Sequence, residues 1–438
     1  MNVPAFVRER LKSLFSLALR HVPTVGWMLV ERLWMVISAI VVGFWIIRAL
    51  GPADYGRFSA ALTVAAVLAA LSVMGMETVV VRRLASGQHE PSAVLSTAVI
   101  YRLAGSVVYV PLCWGAAKVV FPSYADVAAM AAIIASATVF RAADVVGFWQ
   151  QVEGRYGQAA RNRILARLVG DLLRIWLVLN GAGLVWFAVA TLVEGIASAV
   201  VFLVSGRGVL RFRTVPDSSL ARRMFADGWP LMGSAILAAL YARIDQIVLF
   251  KIMGSVENGY YAAAVRISEA FNVVILSIST VAAAHFGRLT DASDSEFLKE
   301  LHSYHRSMLF GSALIATALC TFADPLVKVM YGTSFLESAT ILRIHAWTLV
   351  LVCASVALEP WFFHFEKLRA YLAKTVITLL FSIPATIAGT RWFGAQGTAL
   401  AVVATYFVSV FLTNAILPSL RGAFRFQIRS IFLPWSAK

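Results

Sequence analysis

Charged side chains are scarce in this chain of 438 residues. Asp, Glu, Lys and Arg make up 14% of it, against about 25% in ordinary soluble domains. Apolar and aromatic residues make up 60%. They form long unbroken runs, unlike the short alternating segments of an outer-membrane barrel. This composition excludes a soluble globular protein and a disordered chain, and it predicts an all-α polytopic membrane protein.

Cysteine and histidine are also few. The three cysteines, Cys113, Cys320 and Cys353, lie inside apolar runs. The sequence therefore has no disulfide framework and no CxxC metal motif. His302 and His305 are three residues apart, a spacing that fits a solvated helix face as well as a metal site. We expect no metal and no cofactor.

Acidic residues are outnumbered by basic ones, 23 to 38, which leaves a net charge of +15. Membrane proteins concentrate Lys and Arg in cytoplasmic loops, so this excess does not indicate a nucleic-acid partner. In the predicted topology, 23 basic residues lie on one side of the membrane and six on the other. This bias places both termini in the cytoplasm and requires an even number of spans.

Hydropathy predicts twelve transmembrane helices, the fifth of which is interrupted by Asp171 and Arg174. The predicted spans are Val25–Leu50, Phe58–Val81, Val94–Val120, Val127–Trp149, Ile164–Leu179, Leu184–Val204, Trp229–Met253, Tyr260–Phe286, Tyr304–Phe322, Ala339–Phe362, Tyr371–Thr390 and Thr398–Leu417. We expect five segments: a cytoplasmic amphipathic helix (1–22), an N-terminal six-helix bundle (23–205), a cytoplasmic linker (206–228), a C-terminal six-helix bundle (229–417) and a basic cytoplasmic tail (418–438). No cleavable signal peptide is expected.

The two halves share a sequence motif at a constant offset of 203 residues. Gly51-Pro-Ala-Asp-Tyr-Gly-Arg-Phe58 follows the first span, and Gly254-Ser-Val-Glu-Asn-Gly-Tyr-Tyr261 follows the seventh. Glycine permits a tight turn between helices at each place. Because six is even, the two bundles would share one orientation, with a pseudo-two-fold axis along the membrane normal and a central cavity. That layout is typical of an alternating-access transporter, although duplication also yields stable bundles without transport.

The first motif resembles the hairpin of the polysaccharide transport family, the lipid-linked oligosaccharide flippases of the multidrug/oligosaccharidyl-lipid/polysaccharide (MOP) exporter superfamily. Four further stretches are similar and extend the resemblance over most of the chain. They are Arg243–Gly254, Gly259–Glu269, Met330–Phe335 leading to Leu342-Arg343, and Trp392–Ala399. The resemblance implies a multi-pass protein of the bacterial inner membrane. It would move an undecaprenyl-diphosphate-linked glycan from the cytoplasmic to the periplasmic leaflet for surface polysaccharide synthesis. The product could be O-antigen of lipopolysaccharide, capsule or exopolysaccharide, and the sequence leaves these open.

Several charged residues fall inside predicted spans, where each costs on the order of 2.5–3.5 kcal/mol. Two residues on antiparallel helices joined by a turn lie at the same depth when the mean of their residue numbers falls in that turn. The mean residue number of Arg243 and Glu269 falls in the Gly254–Gly259 turn, and so does that of Asp245 and Arg266. The same arithmetic predicts a second layer, in the cytoplasmic half of the N-terminal bundle, formed by Arg102, Arg141, Asp144, Asp171 and Arg174.

A diphosphate needs cationic donors, and arginine binds it bidentately. The candidate substrate-binding residues are Arg102, Arg141, Arg174, Arg243 and Arg266. The candidate ion-coupling residues are Asp245, Glu269, Asp144 and Asp171, because buried carboxylates are able to bind protons or Na⁺. The i,i+3 pairs Arg141/Asp144, Asp171/Arg174 and Arg266/Glu269 have an equally good structural explanation as pairs that hold helices together.

No covalent chemistry is expected, so the protein is not predicted to be an enzyme. The expected partners are the polyprenyl-diphosphate-linked glycan, membrane lipids, H⁺ or Na⁺ as the coupling ion, and polysaccharide assembly proteins. An ion-coupled multidrug or small-molecule exporter of the same superfamily is the alternative, against which the intramembrane arginines count. A membrane glycosyltransferase would need the acidic cluster Asp291, Asp294, Glu296 and Glu300, which a solvated loop explains better. Nothing favours a purely structural scaffold.

Overall fold

The computed structural model describes residues 5–209, 218–289 and 293–433. Over these residues the chain forms helices joined by short turns, with no β-strand. Helices satisfy their own backbone hydrogen bonds, as a bilayer requires. The all-α prediction is confirmed.

In chain order the α-helices are α1 (Ala5–Leu68), α2 (Ala70–Val73), α3 (Met76–Ala85), α4 (Pro91–Val120), α5 (Ala125–Phe140), α6 (Val145–Val152), α7 (Tyr156–Leu179), α8 (Leu184–Ser205), α9 (Ser218–Met253), α10 (Ser255–Ala270), α11 (Asn272–Arg288), α12 (Asp294–Thr321), α13 (Ala323–Tyr331), α14 (Glu337–His345), α15 (Thr348–Ala357), α16 (Glu359–His364), α17 (Leu368–Phe407), α18 (Thr413–Ile416) and α19 (Arg421–Phe432).

The outer surface of this helical protein is apolar. Val107, Phe310 and Trp392 expose 72%, 75% and 76% of their surface, which a water-soluble monomer avoids over large areas. Seven helical segments among the described residues are long and apolar enough to span a bilayer, or eight if the bent pair α12 and α13 is one span. Two of them, Val30–Ala85 and Ala373–Ile416, each extend over two predicted spans. The protein is therefore a multi-pass membrane protein, while the count of twelve spans stays a prediction.

The helices pack into two compact units. The first consists of Met1–Ala49 and Ala61–Leu240, and the second of Leu50–Ala60 and Tyr241–Lys438. The short segment Leu50–Ala60, which carries the first copy of the repeated motif, thus packs with the second unit. The predicted division into five segments stays a prediction.

Both copies of the repeated motif begin with a glycine in a conformation that other residues avoid. Gly51 has φ 71° and ψ 173° and interrupts α1, and Gly254 has φ 83° and ψ −167° between α9 and α10. This region of positive φ and extended ψ is essentially restricted to glycine. The turns that the sequence predicts at these two positions are confirmed.

Within the second unit the two motifs contact each other reciprocally. A Cβ atom on Gly56 would lie 1.8 Å from the Ser255 carbonyl oxygen, and one on Gly259 would lie 1.9 Å from the Pro52 carbonyl oxygen. At the offset of 203, Pro52 corresponds to Ser255 and Gly56 to Gly259. The backbones approach closely because neither second glycine has a side chain.

In the first unit, an ion pair outside the predicted spans joins α3 to α9. Arg82 and Arg83 each donate a hydrogen bond to Asp227 Oδ2, at 2.6 and 2.7 Å. The bond from Arg83, together with the nearby charge of Arg82, holds the pKa of the Asp227 carboxyl below its ordinary value. The carboxylate is therefore ionised and the ion pair is formed at neutral pH. The ion pair weakens only as the pH falls through that lowered pKa.

Candidate functional site: two clusters of buried charge

Helix α7 presents four charged residues on one face. Arg163, Arg167, Asp171 and Arg174 are spaced at four, four and three residues, so their side chains lie above one another along the helix. The facing elements of the first unit supply the partners of these residues. They are α1 with Glu31 and Ser38, the 3₁₀ segment Arg141–Asp144, and α8 with Glu194.

Glu194 is the centre of this cluster. Its Oε2 accepts a hydrogen bond from Arg174 Nη2 at 2.7 Å, and its Oε1 accepts one from Arg141 Nη2 at 2.9 Å. Arg167 Nη1 lies 3.7 Å from the same Oε1. The Glu194 side chain is only 8% exposed. One buried carboxylate thus faces three guanidinium groups, which is why so much charge is tolerated inside a membrane protein.

Asp171 is enclosed in a similar way. Ser38 Oγ donates to its Oδ2 at 2.5 Å, and Arg167 Nε and Arg174 Nη1 each lie 3.3 Å from its Oδ1. The predicted i,i+3 pair Asp171/Arg174 is confirmed. Arg174, only 10% exposed, lies between Asp171 and Glu194 and pairs with both carboxylates.

A cavity of about 200 Å³ opens beside this cluster. Three arginines line it, and their side chains are 30–36% exposed. Three carboxylates balance them. The charged residues of the wall are Arg141, Arg163, Arg167, Glu31, Asp144 and Glu194. Arg163 donates to Glu31 through two nitrogens, at 2.5 and 2.8 Å.

The predicted pair Arg141/Asp144 is wrong. Arg141 bonds to Glu194 instead, and Asp144 accepts a hydrogen bond from Ser198 Oγ at 2.6 Å. Packing of the 3₁₀ segment against α8 decides both partners. Arg102 is buried behind them, near the charges of Asp144 and Arg141. Its Nε has no hydrogen-bond partner among the described residues.

The second unit holds the other predicted charges. Arg243 donates to both oxygens of Glu269, at 3.2 and 3.3 Å. The two residues therefore lie at one level of their adjacent helices, as the sequence predicts, while their depth in the bilayer stays a prediction. Asp245 is buried and pairs differently, because Tyr261 donates its hydroxyl to Asp245 Oδ2 at 2.5 Å. Asp245 Oδ1 finds no hydrogen-bond partner in the described part of the chain. Arg266 lies beside Tyr55.

Three charged residues of the first cluster, Arg163, Arg167 and Glu194, are not among the site residues that the sequence predicts. The spacing of Arg163, Arg167 and Asp171 at i, i+4 and i+8 was the available signal. Lys374 is a further buried cation that the sequence does not predict. It is 2% exposed, and its ammonium lies over the ring of Phe362, 5.4 Å from the centroid.

The described members of the acidic cluster that a glycosyltransferase would need lie on α12, and two of them face histidines. Asp294 and Glu296 lie in the first turn of α12, where negative charges interact favourably with the helix dipole. Asp294 Oδ1 is 3.0 Å from His364 Nε2, and Glu300 faces His285 at 3.8 Å. Asp291 lies outside the described residues. No group of three or more potential metal ligands occurs in the described ranges.

Solved structures of two membrane transport proteins have a similar fold. The chain is similar to a multidrug resistance MATE family transporter of the MOP superfamily in its inward-facing conformation, with 17% identity and a TM-score of 0.71 over 91% of this chain and 95% of that one. It is also similar to the lipid II flippase MurJ in an inward closed conformation, with 12% identity and a TM-score of 0.70 over 93% and 90% of the two chains. At these identities the likeness shows the fold alone, and it does not assign a function to this chain.

The family described as polysaccharide biosynthesis protein matches residues 46–340, more than half of the chain. The protein therefore belongs to this family, which agrees with the resemblance of its sequence motifs to a polysaccharide transport family. A relative, the uncharacterized membrane protein EpsK of Bacillus subtilis (strain 168), is 26% identical over 221 residues. The matched region covers 48% of this chain and 40% of that protein, so it spans less than half of the relative's length.

Proposed function

We propose that this protein moves a polyprenyl-diphosphate-linked oligosaccharide from the cytoplasmic to the periplasmic leaflet of the bacterial inner membrane, by alternating access and without covalent chemistry. The cavity in the first unit carries the proposal, because three partly exposed arginines line it. Membership of a polysaccharide biosynthesis family supports a glycan-linked substrate. An undecaprenyl carrier, both termini in the cytoplasm and interaction with polysaccharide assembly proteins belong to the same proposal.

The geometry ranks the arginines. Arg141 and Arg167 face the same oxygen of Glu194 and remain about one-third exposed. A diphosphate entering the cavity offers them stronger acceptors, since phosphate oxygens accept bidentate hydrogen bonds from arginine. Arg174 is buried between Asp171 and Glu194, so we assign it to positioning rather than to contact with substrate. Arg102, Arg243 and Arg266 stay candidates of lower rank.

Replacing Arg141 or Arg167 by glutamine is expected to slow flipping of a short undecaprenyl-diphosphate oligosaccharide in reconstituted vesicles by about tenfold or more. Loss of one charge-assisted contact costs about 1.5–3 kcal/mol. The matched control is Arg343→Gln, which removes a partly exposed arginine that pairs with Asp324 in the second unit. It should flip at nearly the wild-type rate.

Normal flipping by folded Arg141→Gln and Arg167→Gln proteins would place the diphosphate site elsewhere. Wild-type protein that does not flip this lipid, yet moves an organic cation against an ion gradient, would support the exporter alternative instead.

We infer that Asp245 binds the coupling ion. Arg243 is engaged by Glu269, which leaves Asp245 as a buried carboxyl with one unsatisfied oxygen. Burying such a charge is costly, and a bound H⁺ or Na⁺ neutralises it. Asp171 is already balanced by two arginines, and Glu269 by one. Asp144, which accepts a hydrogen bond from Ser198, ranks between these acids and Asp245.

Asp245→Asn is expected to abolish the stimulation of flipping by an imposed proton or sodium gradient, while flipping without a gradient continues. Asparagine keeps the size and the acceptor for Tyr261 but does not bind a proton or a cation as a carboxylate does. Flipping rates with and without each gradient provide the measurement, and Glu269→Gln is the control. If the Asp245→Asn protein still responds fully to the gradient, another group couples the ion.

A further inference from the structure

Helix α19, within the segment predicted to be a basic tail, is held against the second unit by a polar face. Ser430 Oγ lies 2.8 Å from His305 Nδ1, and Asn414 Nδ2 donates to Gln427 Oε1 at 3.0 Å. His302 Nε2 is 3.2 Å from the carbonyl oxygen of Leu433. These contacts are buried, so they fix the rotation of α19 about its own axis.

The same contacts correct the interpretation of the two histidines. His302 is 5% exposed and His305 is fully buried, so the solvated helix face that their spacing suggests is wrong. Both rings form part of the surface on which α19 docks.

The opposite face of α19 is a stripe of exposed arginines. Arg421, Arg425 and Arg429 follow one another at intervals of four residues, and all three are exposed. The helix contains no acidic residue. Within the described ranges, none of the three arginines forms an ion pair. Three like charges in one row repel each other unless anions balance them.

Exposed apolar side chains border this stripe. Ile428, Phe432 and Leu433 expose 36%, 73% and 54% of their surface. A helix with cationic and apolar residues side by side is suited to the boundary between headgroups and acyl chains. Its location agrees, because α19 touches His305, the second residue of the predicted span Tyr304–Phe322.

We propose that the outer face of α19 is a docking surface for anionic phospholipid headgroups of the leaflet against which it lies. The arginine stripe binds the headgroup phosphates, and Phe432 and Leu433 enter the adjoining acyl region. Charge complementarity selects the anionic lipid, since each arginine near a membrane surface contributes a favourable interaction with it. The buried polar face keeps the stripe directed outward. This surface is separate from the arginine-lined cavity and does not depend on what that cavity transports.

The test uses full-length protein in nanodiscs of phosphatidylcholine, with or without phosphatidylglycerol, and follows amide hydrogen exchange of Arg421–Phe432. If the lipid binds α19 only while the helix is docked, it raises the equilibrium constant for docking. Amide exchange then slows by the same factor. We expect phosphatidylglycerol to slow exchange by about fivefold for each arginine engaged. High salt should reduce the effect.

The variant Arg421→Gln/Arg425→Gln/Arg429→Gln should lose this response, and the corresponding triple lysine variant should keep most of it. If the glutamine variant fails to fold, the lysine variant still tests the proposal, because its charges should preserve the response to phosphatidylglycerol. The matched control removes three exposed arginines elsewhere, as Arg161→Gln/Arg207→Gln/Arg222→Gln, and should respond like wild type.

Three results would overturn the proposal. One is an absent phosphatidylglycerol response in the wild type, and another is an unchanged response in the glutamine variant. The third is equal slowing by soluble glycerol phosphate added to phosphatidylcholine nanodiscs, which would identify a site for free phosphate rather than a lipid surface.

Discussion

Gly259→Ala is expected to prevent the protein from reaching its native fold. The new Cβ atom would lie 1.9 Å from the carbonyl oxygen of Pro52, far inside contact distance. The backbone fixes the position of the Cβ atom, and the carbonyl oxygen belongs to the backbone itself, so no side-chain rotation relieves the overlap. Gly56→Ala should behave in the same way, because its Cβ atom would lie 1.8 Å from the Ser255 carbonyl oxygen. Asn258 Nδ2, which donates to the Gly56 carbonyl at 2.9 Å, would be displaced as well.

The measurement is the yield of monodisperse protein in detergent and its thermal unfolding midpoint. Gly115→Ala is the control, since a Cβ atom there meets nothing within 4 Å. Alanine in a helix interior is favoured over glycine by about 1 kcal/mol, so this variant should be at least as stable as wild type. A Gly259→Ala protein with an unchanged midpoint would contradict the close approach of the two motifs.

Glu194→Ala is expected to cost about 3–5 kcal/mol of stability, the usual penalty for breaking a buried ion pair from one side. The change leaves Arg174 without its 2.7 Å acceptor and Arg141 without its 2.9 Å acceptor. Their charges then remain in a site where Arg174 is 10% exposed. We expect flipping to be lost along with the stability, because the arginines of the cavity wall would no longer hold their positions.

Asp324→Ala is the matched control for Glu194→Ala. Asp324 also pairs with an arginine, Arg343, but its side chain is 58% exposed. Exposed pairs contribute about 0–1 kcal/mol. Denaturant or thermal unfolding in the same detergent compares the two variants. Equal stability losses would show that Glu194 is not the centre of a buried network. The double variant Glu194→Leu/Arg174→Leu should recover part of the loss, since it removes charge from both sides.

The level of residues on neighbouring helices was predictable from the sequence, whereas the choice of partner was not. The turn at Gly254–Gly259 placed Arg243 and Glu269 at one level, and they form an ion pair. The same arithmetic placed Arg141 and Asp144 in one layer, yet Arg141 bonds to Glu194 on α8. Residue spacing from a turn gives height through the helix rise. It does not give the rotation of each helix, which side-chain packing decides.

The sequence by itself determined the helical membrane class, because no other structure satisfies the backbone of such long apolar runs in a bilayer. It also determined the glycine turns at Gly51 and Gly254, since their backbone conformation is nearly restricted to glycine. Only the tertiary structure decided that Glu194 bonds Arg141 and Arg174. It alone decided that Asp245 accepts a hydrogen bond from Tyr261 and that the arginines of α19 are exposed. These contacts depend on which helix faces meet when helices distant in sequence pack together. Local sequence patterns do not determine which faces meet.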